Sequence, residues 1–240
     1  MIVLEQVTKL GEGGANAVLA GVSATIPTDR RIAVFGVDDF AKTVFIQLLA
    51  GLTPPTHGRI RRHARVSFPV GHFSPMGHKL TLRQNVAHVA RLHDANVAEV
   101  VRFVESVAQL GRYFDRPLER LPMHLRMPFA TILTYAVPFD VYLADGVLAR
   151  GDRRFQALAM SVFEERVRTS GLVLTTNDIR TARKYCDVGA ILHRGKFMLH
   201  ENLEAAIRVF ESLKASAEPA GQAQQAERAD PPRSDLDDFL

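Results

Sequence analysis

The sequence is poor in cysteine: Cys186 is the only one in 240 residues. No disulfide can form within the chain, and this sparing use of cysteine is typical of proteins from a reducing compartment. Cys186 follows Tyr185 in an apolar stretch. That setting favours a buried structural thiol over a reactive one.

Long apolar runs are also missing. No window reaches the roughly 18 uninterrupted apolar residues that a transmembrane helix requires. The N-terminal segment MIVLEQVTKL lacks the basic start and apolar run of a signal peptide. We therefore expect a cytoplasmic protein, either soluble or peripherally attached to the inner face of the plasma membrane.

Charge of one sign is only slightly in excess, since the formal net charge is +4. A solvated surface accounts for such an excess, and an exposed sheet face accounts for the basic run over residues 59–65. We expect no nucleic-acid partner. The histidines His63, His72 and His78 lack a suitably spaced carboxylate or thiol, so no metal site is expected from them.

The chain is 47% hydrophobic, which suits a folded protein. Apolar patterning predicts strands over 2–7, 17–26, 32–35, 59–69, 141–145, 172–176 and 188–193. It predicts helices over 42–50, 153–168, 179–186 and 201–213, and a mostly helical region over about 83–138. Short apolar strands alternating with helices indicate a parallel sheet covered on both faces. Residues 214–240 lack periodicity and are predicted to form a flexible tail.

A phosphate-binding motif is expected where a buried strand gives way to a helix. The chain reads Gly36-Val-Asp-Asp-Phe-Ala-Lys-Thr43, which matches G-x-x-x-x-G-K-[ST] except at Ala41. Lys42 could reach phosphates and Thr43 could bind Mg²⁺. Ala41 and the carboxylates of Asp38 and Asp39 weaken the loop for a triphosphate. An ordinary strand–turn–helix with an incidental Lys-Thr pair remains open on the loop alone.

Matching stretches elsewhere identify a family. From residue 1 to about 212 the chain resembles the ATP-binding subunits of capsular-polysaccharide exporters, a branch of the ATP-binding-cassette (ABC) transporters. The matching segments are Arg61-Arg-His63, Ser67-Phe-Pro-Val-Gly71, Leu80-Thr81, Asn85-Val86, Phe103-Val-Glu105, Leu110-Gly-Arg-Tyr-Phe-Asp115, Phe139-Asp-Val-Tyr-Leu143, Gly151-Asp-Arg-Arg-Phe155, Phe163-Glu-Glu-Arg166 and Cys186-Asp187.

The resemblance implies an α/β P-loop NTPase fold of the ABC nucleotide-binding type, in which helices flank a mixed sheet. The nucleotide-binding domain would span 1–213 and include an inserted helical subdomain over about 83–138. The residues implied to bind ATP are Gly36, Asp39, Ala41, Lys42, Thr43 and Asp145, with Thr43 and Asp145 on Mg²⁺.

Several positions depart from the family pattern, and each departure removes a group that would act on the nucleotide, on Mg²⁺ or on the attacking water. Gly146 replaces the glutamate that polarises water, so the general base is missing. Asn177 replaces a histidine on the γ-phosphate, and Gly77 replaces the glutamine that senses Mg²⁺. Pro122-Met-His124 replaces the Ser-Gly signature that grips the opposite subunit's nucleotide.

The family pattern also assigns residues to adenine binding and to the dimer contact. Leu10 stands where an aromatic residue would stack on adenine, whereas Gly151 and Asp152 retain the family's dimer contact. The sequence thus predicts an exporter subunit that binds ATP weakly and hydrolyses little or none of it. It would work with a membrane permease as a homodimer or as a heterodimer with another ABC subunit. A non-hydrolysing scaffold or regulatory protein with the same fold is the alternative.

Overall fold

A computed structural model describes residues 1–11, 17–73, 75–149 and 151–226, with side chains described as far as residue 216. The strands are β1 (Ile2–Leu10), β2 (Ala17–Ile26), β3 (Arg31–Phe35), β4 (His57–Arg62), β5 (Val66–Pro69), β6 (Val141–Asp145), β7 (Gly171–Thr175), β8 (Val188–His193) and β9 (Lys196–Leu199). The α-helices are α1 (Asp39–Ala50), α2 (Leu82–Leu92), α3 (Val97–Ala108), α4 (Met123–Ala136), α5 (Arg153–Arg166), α6 (Ile179–Tyr185) and α7 (Leu203–Ala226). Among these helices, none is long and apolar enough to cross a membrane.

The strands form two sheets. A six-stranded sheet has the order β5-β6-β7-β3-β8-β9 and is parallel except for β9, which pairs antiparallel with β8. A three-stranded antiparallel sheet has the order β2-β1-β4. Two short 3-10 helices, Gly111–Tyr113 and Leu118–Arg120, lie between α3 and α4.

Each face of the six-stranded sheet covers its own hydrophobic core. One core packs α1 between the two sheets, through residues such as Phe45 and Leu49. The other packs α2 to α7 on the opposite face, where Phe35 of β3 stacks on Phe210 of α7 at 5.1 Å between ring centroids. The inner strands β6, β7, β3 and β8 are apolar except at their ends, because both faces of the sheet are buried there.

The single strand predicted over 59–69 is wrong, because the chain changes sheets within it. β4 pairs with β1, whereas β5 pairs with β6 in the larger sheet. Arg62 ends β4 and donates two hydrogen bonds to the carbonyls of Leu48 and Leu49 at the end of α1. The backbone N–H of Arg65 then donates to the Asp140 carboxylate at 2.7 Å, which fixes the start of β5.

The last helix is longer than predicted. Its predicted end was Leu213, but α7 continues to Ala226. Alanine and glutamine are frequent in 214–226, and both have high helix propensity. The predicted flexible tail therefore begins as helix, and its remainder, residues 227–240, lies outside the described residues.

Candidate functional site

The candidate site lies where the carboxyl ends of three parallel strands meet. β3 leads into the loop before α1, β6 ends at Asp145, and β7 ends at Thr175. Thr43 in the first turn of α1 donates to Asp145 Oδ2 at 2.6 Å. Residues that are 102 positions apart are thus joined at the edge where α/β sheets bind their ligands.

The loop from Gly36 to Ala41 is tightly held. A Cβ atom at Gly36 would lie 2.6 Å from the Leu192 carbonyl oxygen of β8, so only glycine fits this approach. Asp38 caps α1, and its Oδ1 accepts a hydrogen bond from the Ala41 backbone N–H at 3.0 Å. A backbone donor that a phosphate loop would offer to a ligand is therefore already used.

Lys42 is paired within the loop. Its side chain is 6% exposed, and its Nζ lies 2.7 Å from Oδ1 of Asp39, whose side chain is 85% exposed. Asn177, in the turn after β7, reaches the same oxygen with its Nδ2 at 3.5 Å. The Asp39 carboxylate is therefore ion-paired with the lysine that the sequence predicted to bind phosphate.

Asp145 is also engaged on both oxygens. Thr43 donates to Oδ2, and Thr175 donates to Oδ1 at 2.7 Å. The role of Thr175 was missed at the sequence level. Its position at the carboxyl end of the strand beside β6 was the signal that could have revealed it.

Gly146 follows Asp145 with φ of +71°, in the left-handed region. Its N–H donates to the Thr175 carbonyl at 2.9 Å, which ties the end of β6 to β7. A Cβ atom at this position would meet nothing within 4 Å. The backbone conformation, rather than a lack of space, is what favours glycine here.

Gly77 lies in a turn before α2 that buried Asn85 holds together. The Asn85 Oδ1 accepts from the Gly77 N–H at 2.8 Å, and its Nδ2 donates to the Gly77 carbonyl at 3.0 Å. A Cβ at Gly77 would lie 3.1 Å from Leu80 Cδ1. A side chain at position 77 would therefore require the Leu80 side chain to shift by a few tenths of an ångström.

The predicted signature segment begins α4. Pro122 precedes the helix and makes no side-chain cap, while Met123 is 76% exposed. Arg126 in the same turn donates to the carbonyls of Leu121 and Glu119. The side-chain hydroxyl that would cap a helix at this point is absent from the segment, so its N-terminus offers backbone N–H groups alone.

Gly151 and Asp152 have structural roles inside the chain. Gly151 has φ of +127°, and a Cβ there would lie 2.8 Å from Pro128 Cγ. Asp152 caps α5 by accepting from the Phe155 N–H at 2.9 Å. These contacts explain both residues without a second subunit, and their assignment to a dimer contact stays a prediction.

Two cavities flank the loop. The larger, of about 720 Å³, lies between β2, the loop, the β8–β9 turn and α7. It is lined by Ala17, Val18, Val37, Asp38, Ala41, Leu192, His193, Arg194, Gly195, Leu213 and Ser216. Leu10 ends β1 and is 39% exposed; the residues that follow, 12–16, lie outside the described part of the chain. The volume is within the range of ligand pockets.

The smaller cavity, of about 150 Å³, is on the other side of α1. Thr43 and Asp145 line it together with Gln47, His72 and Met127. Burial lowers the pKa of His72 below its ordinary value. His72 is thus a titratable group in the same cavity as Asp145 that the sequence did not assign to the site.

The site holds side chains that can bind a Mg²⁺–triphosphate, and these side chains already contact other groups of the chain. Lys42, Thr43 and Asp145 are the residue types that such a ligand needs, and they lie together. However, Asp39 is ion-paired with Lys42, and Thr175 donates a hydrogen bond to Asp145. Asp38 accepts the backbone N–H of Ala41 beside them. A phosphate that reached Lys42 Nζ would share it with the exposed Asp39 carboxylate or displace that carboxylate.

Comparison with known sequences identifies relatives over most of the chain, although no family model matches it. The polysialic acid transport ATP-binding protein KpsT of Escherichia coli is 30% identical over 213 residues, or 86% of this chain and 95% of KpsT. The capsule polysaccharide export ATP-binding protein CtrD of Neisseria meningitidis is 29% identical, over 89% of this chain and all of CtrD. The ATP-binding protein BexA of Haemophilus influenzae is 28% identical, over 82% of this chain and 91% of BexA.

Solved structures share the fold. The ATP-binding cassette MJ0796, in a dimeric post-hydrolysis state bound to ADP and Pi, superimposes with a TM-score of 0.65 and 17% identity over 85% of this chain. All of the MJ0796 chain is covered. The predicted ABC-type fold, with helices on a mixed sheet, is confirmed. The chain belongs to the capsule-polysaccharide export ATP-binding proteins, as the matching segments of its sequence indicated.

Proposed function

We propose that this chain is the nucleotide-binding subunit of a capsular-polysaccharide exporter that binds ATP weakly and hydrolyses little or none of it. Gly146 is the observation that carries the proposal. It stands directly after Asp145, and glycine has no group that could orient or deprotonate a water molecule. Asn177, across the cleft, can donate a hydrogen bond but cannot take up a proton.

Weak binding of ATP follows from the charges of the loop. Residues 38–42 carry two carboxylates and one ammonium group. A carboxylate about 4 Å from a phosphate costs on the order of 4 kcal/mol at an effective dielectric constant near 20. Because the Asp39 side chain is 85% exposed, solvent screens part of this repulsion. ATP binding is therefore weakened rather than abolished.

Export needs a source of free energy that such a subunit does not supply. We infer that it acts at the cytoplasmic face of the membrane, bound to the exporter's permease and paired with a second ABC subunit that hydrolyses ATP. KpsT is named for polysialic acid transport and CtrD for capsule polysaccharide export, which supports the choice of cargo. A homodimer would leave both nucleotide sites without a general base.

Deletion in the source cell tests the proposal. Without the chain, polysaccharide is expected to accumulate inside the cell, and re-expression should return it to the surface. Immunoprecipitation of a tagged chain from solubilised membranes should recover a polysaccharide-export permease and a second ATP-binding subunit. Normal surface polysaccharide after deletion, with the tagged chain found only in the soluble fraction, would contradict the proposal and favour a scaffold.

A further inference from the structure

We propose that Asp39 is a specificity-determining residue: its carboxylate takes the place of a phosphate on Lys42 and makes the loop select against polyphosphate ligands. The inference rests on the proposed function only in taking a nucleotide as the ligand of the cleft. Its core is the ion pair itself, which involves no ligand.

The burial of Lys42 makes its ion pair with Asp39 energetically important. An ammonium group with a side chain only 6% exposed has lost most of its water and needs an anionic partner. Within the part of the chain that the structure describes, Asp39 is the carboxylate in ion-pair contact with it, at 2.7 Å. A polyphosphate can become the sole ionic partner of Lys42 only by replacing the Asp39 carboxylate. One ion pair is then exchanged for another, so the net attraction is small.

Asp38 acts in the same direction through the backbone. Its carboxylate accepts the Ala41 N–H at the first turn of α1, where a free helix N-terminus would attract an anion. The segment 38–42 holds two carboxylates and one ammonium group, which is a formal net charge of −1. The repulsion that a ligand feels then grows with its number of phosphate charges.

Because Asp39 is exposed, replacing it removes no packing from either hydrophobic core, so the charge can be changed without opening a cavity. Its side chain is 85% exposed and lies in the first turn of α1, outside both hydrophobic cores. Asp39→Asn keeps the shape and removes the charge. Asp39→Ser is a second, smaller replacement that also suits a helix N-terminus. Asp29→Asn is the matched control, because Asp29 is exposed and precedes the opposite end of β3.

Calorimetric titrations of the full-length protein, with Mg²⁺ present, test the inference. The probes are ATP, AMP, adenosine and inorganic tripolyphosphate. Asp39→Asn and Asp39→Ser are expected to strengthen the binding of ATP and tripolyphosphate at least about tenfold, which corresponds to about 1.4 kcal/mol. AMP should gain less, adenosine should not change, and Asp29→Asn should match the wild type. Adding Lys42→Ala to Asp39→Asn should remove the gain.

Three results overturn the inference: no gain for either polyphosphate, an equal gain for adenosine and ATP, or a gain that persists without Lys42. A gain for tripolyphosphate without one for ATP would leave the role of Asp39 standing and would contradict the nucleotide assignment. The deletion experiment judges the export function independently of all four outcomes.

Discussion

Gly146 shapes the chemistry of the cleft through its backbone as well as its missing side chain. Its φ of +71° lies in the left-handed region, where a residue with a Cβ atom is strained by about 1–2 kcal/mol. Its N–H is bonded to the Thr175 carbonyl, so β7 helps to maintain that conformation. Restoring a glutamate would therefore strain the turn and aim the carboxylate from an unsuitable backbone.

Gly146→Glu is accordingly expected to leave ATP turnover at background and to lower the free energy of unfolding by about 1–2 kcal/mol. Phosphate release and denaturant unfolding measure the two effects. Gly146→Asn is the matched control, because asparagine tolerates the left-handed region better and should cost less. Robust turnover by Gly146→Glu would show that the missing glutamate is the only defect.

Cys186 offers a second test at the residue scale. Burial raises the pKa of its thiol to about 12, and the neighbouring Asp187 carboxylate acts in the same direction. The reactive thiolate is therefore scarce at pH 8. A thiol-specific disulfide reagent should label the folded protein far more slowly than the protein in denaturant. Equal labelling rates in the two states would contradict the burial of this thiol.

The sequence predicted the composition of the site better than its internal contacts. Lys42 and Thr43 came from the phosphate-loop pattern and Asp145 from the family resemblance, and the structure brings them together at one edge of the sheet. The ion pair between Lys42 and Asp39 could not be foreseen, since the sequence leaves the rotamer of an exposed aspartate open. Thr175 was missed because its hydroxyl finds Asp145 only when β6 and β7 are in register.

At the scale of elements, α7 is held on the sheet by close packing. Phe210 is 1% exposed and stacks on Phe35, and a Cβ at Gly189 of β8 would lie 2.3 Å from Ala206. The helix therefore approaches β8 at a distance that only glycine allows. Leu213 of the same helix then lines the larger cavity.

Phe210→Ala should lower the free energy of unfolding by about 3–5 kcal/mol, because it removes a buried ring and leaves a cavity. Arg208→Ala, an exposed change on the same helix, is the control and should cost less than about 1 kcal/mol. Denaturant melts of both variants provide the comparison. A similar small loss for both would mean that α7 is not packed as described.

The element boundaries that the sequence misplaced share a physical cause. Residues 59–69 look like one strand because both halves of the segment have sequences compatible with a strand. Only the pairing with other strands assigns β4 and β5 to different sheets. The end of α7 was set too early because residues 214–226 lack apolar periodicity, while their alanines and glutamines favour helix. Local pattern does not decide between such opposed preferences.

At the scale of the whole molecule, the residues that pack the fold follow the family pattern more closely than the predicted nucleotide-binding residues do. Both hydrophobic cores are filled, and the fold matches solved ABC cassettes. Of the positions predicted to serve nucleotide chemistry, Lys42 is paired with Asp39 inside the chain, and glycine stands at position 146. The fold is therefore expected to be stable without ATP, and its use in export would come from contacts with other proteins.

Phosphate release from ATP by the purified full-length protein, with Mg²⁺ and at single-turnover protein excess, tests this account most directly. The account predicts release at the rate of buffer alone, unchanged by Lys42→Ala or by His72→Gln. Release well above that rate, lost in either variant, would contradict it and reveal a working catalytic base in the cleft.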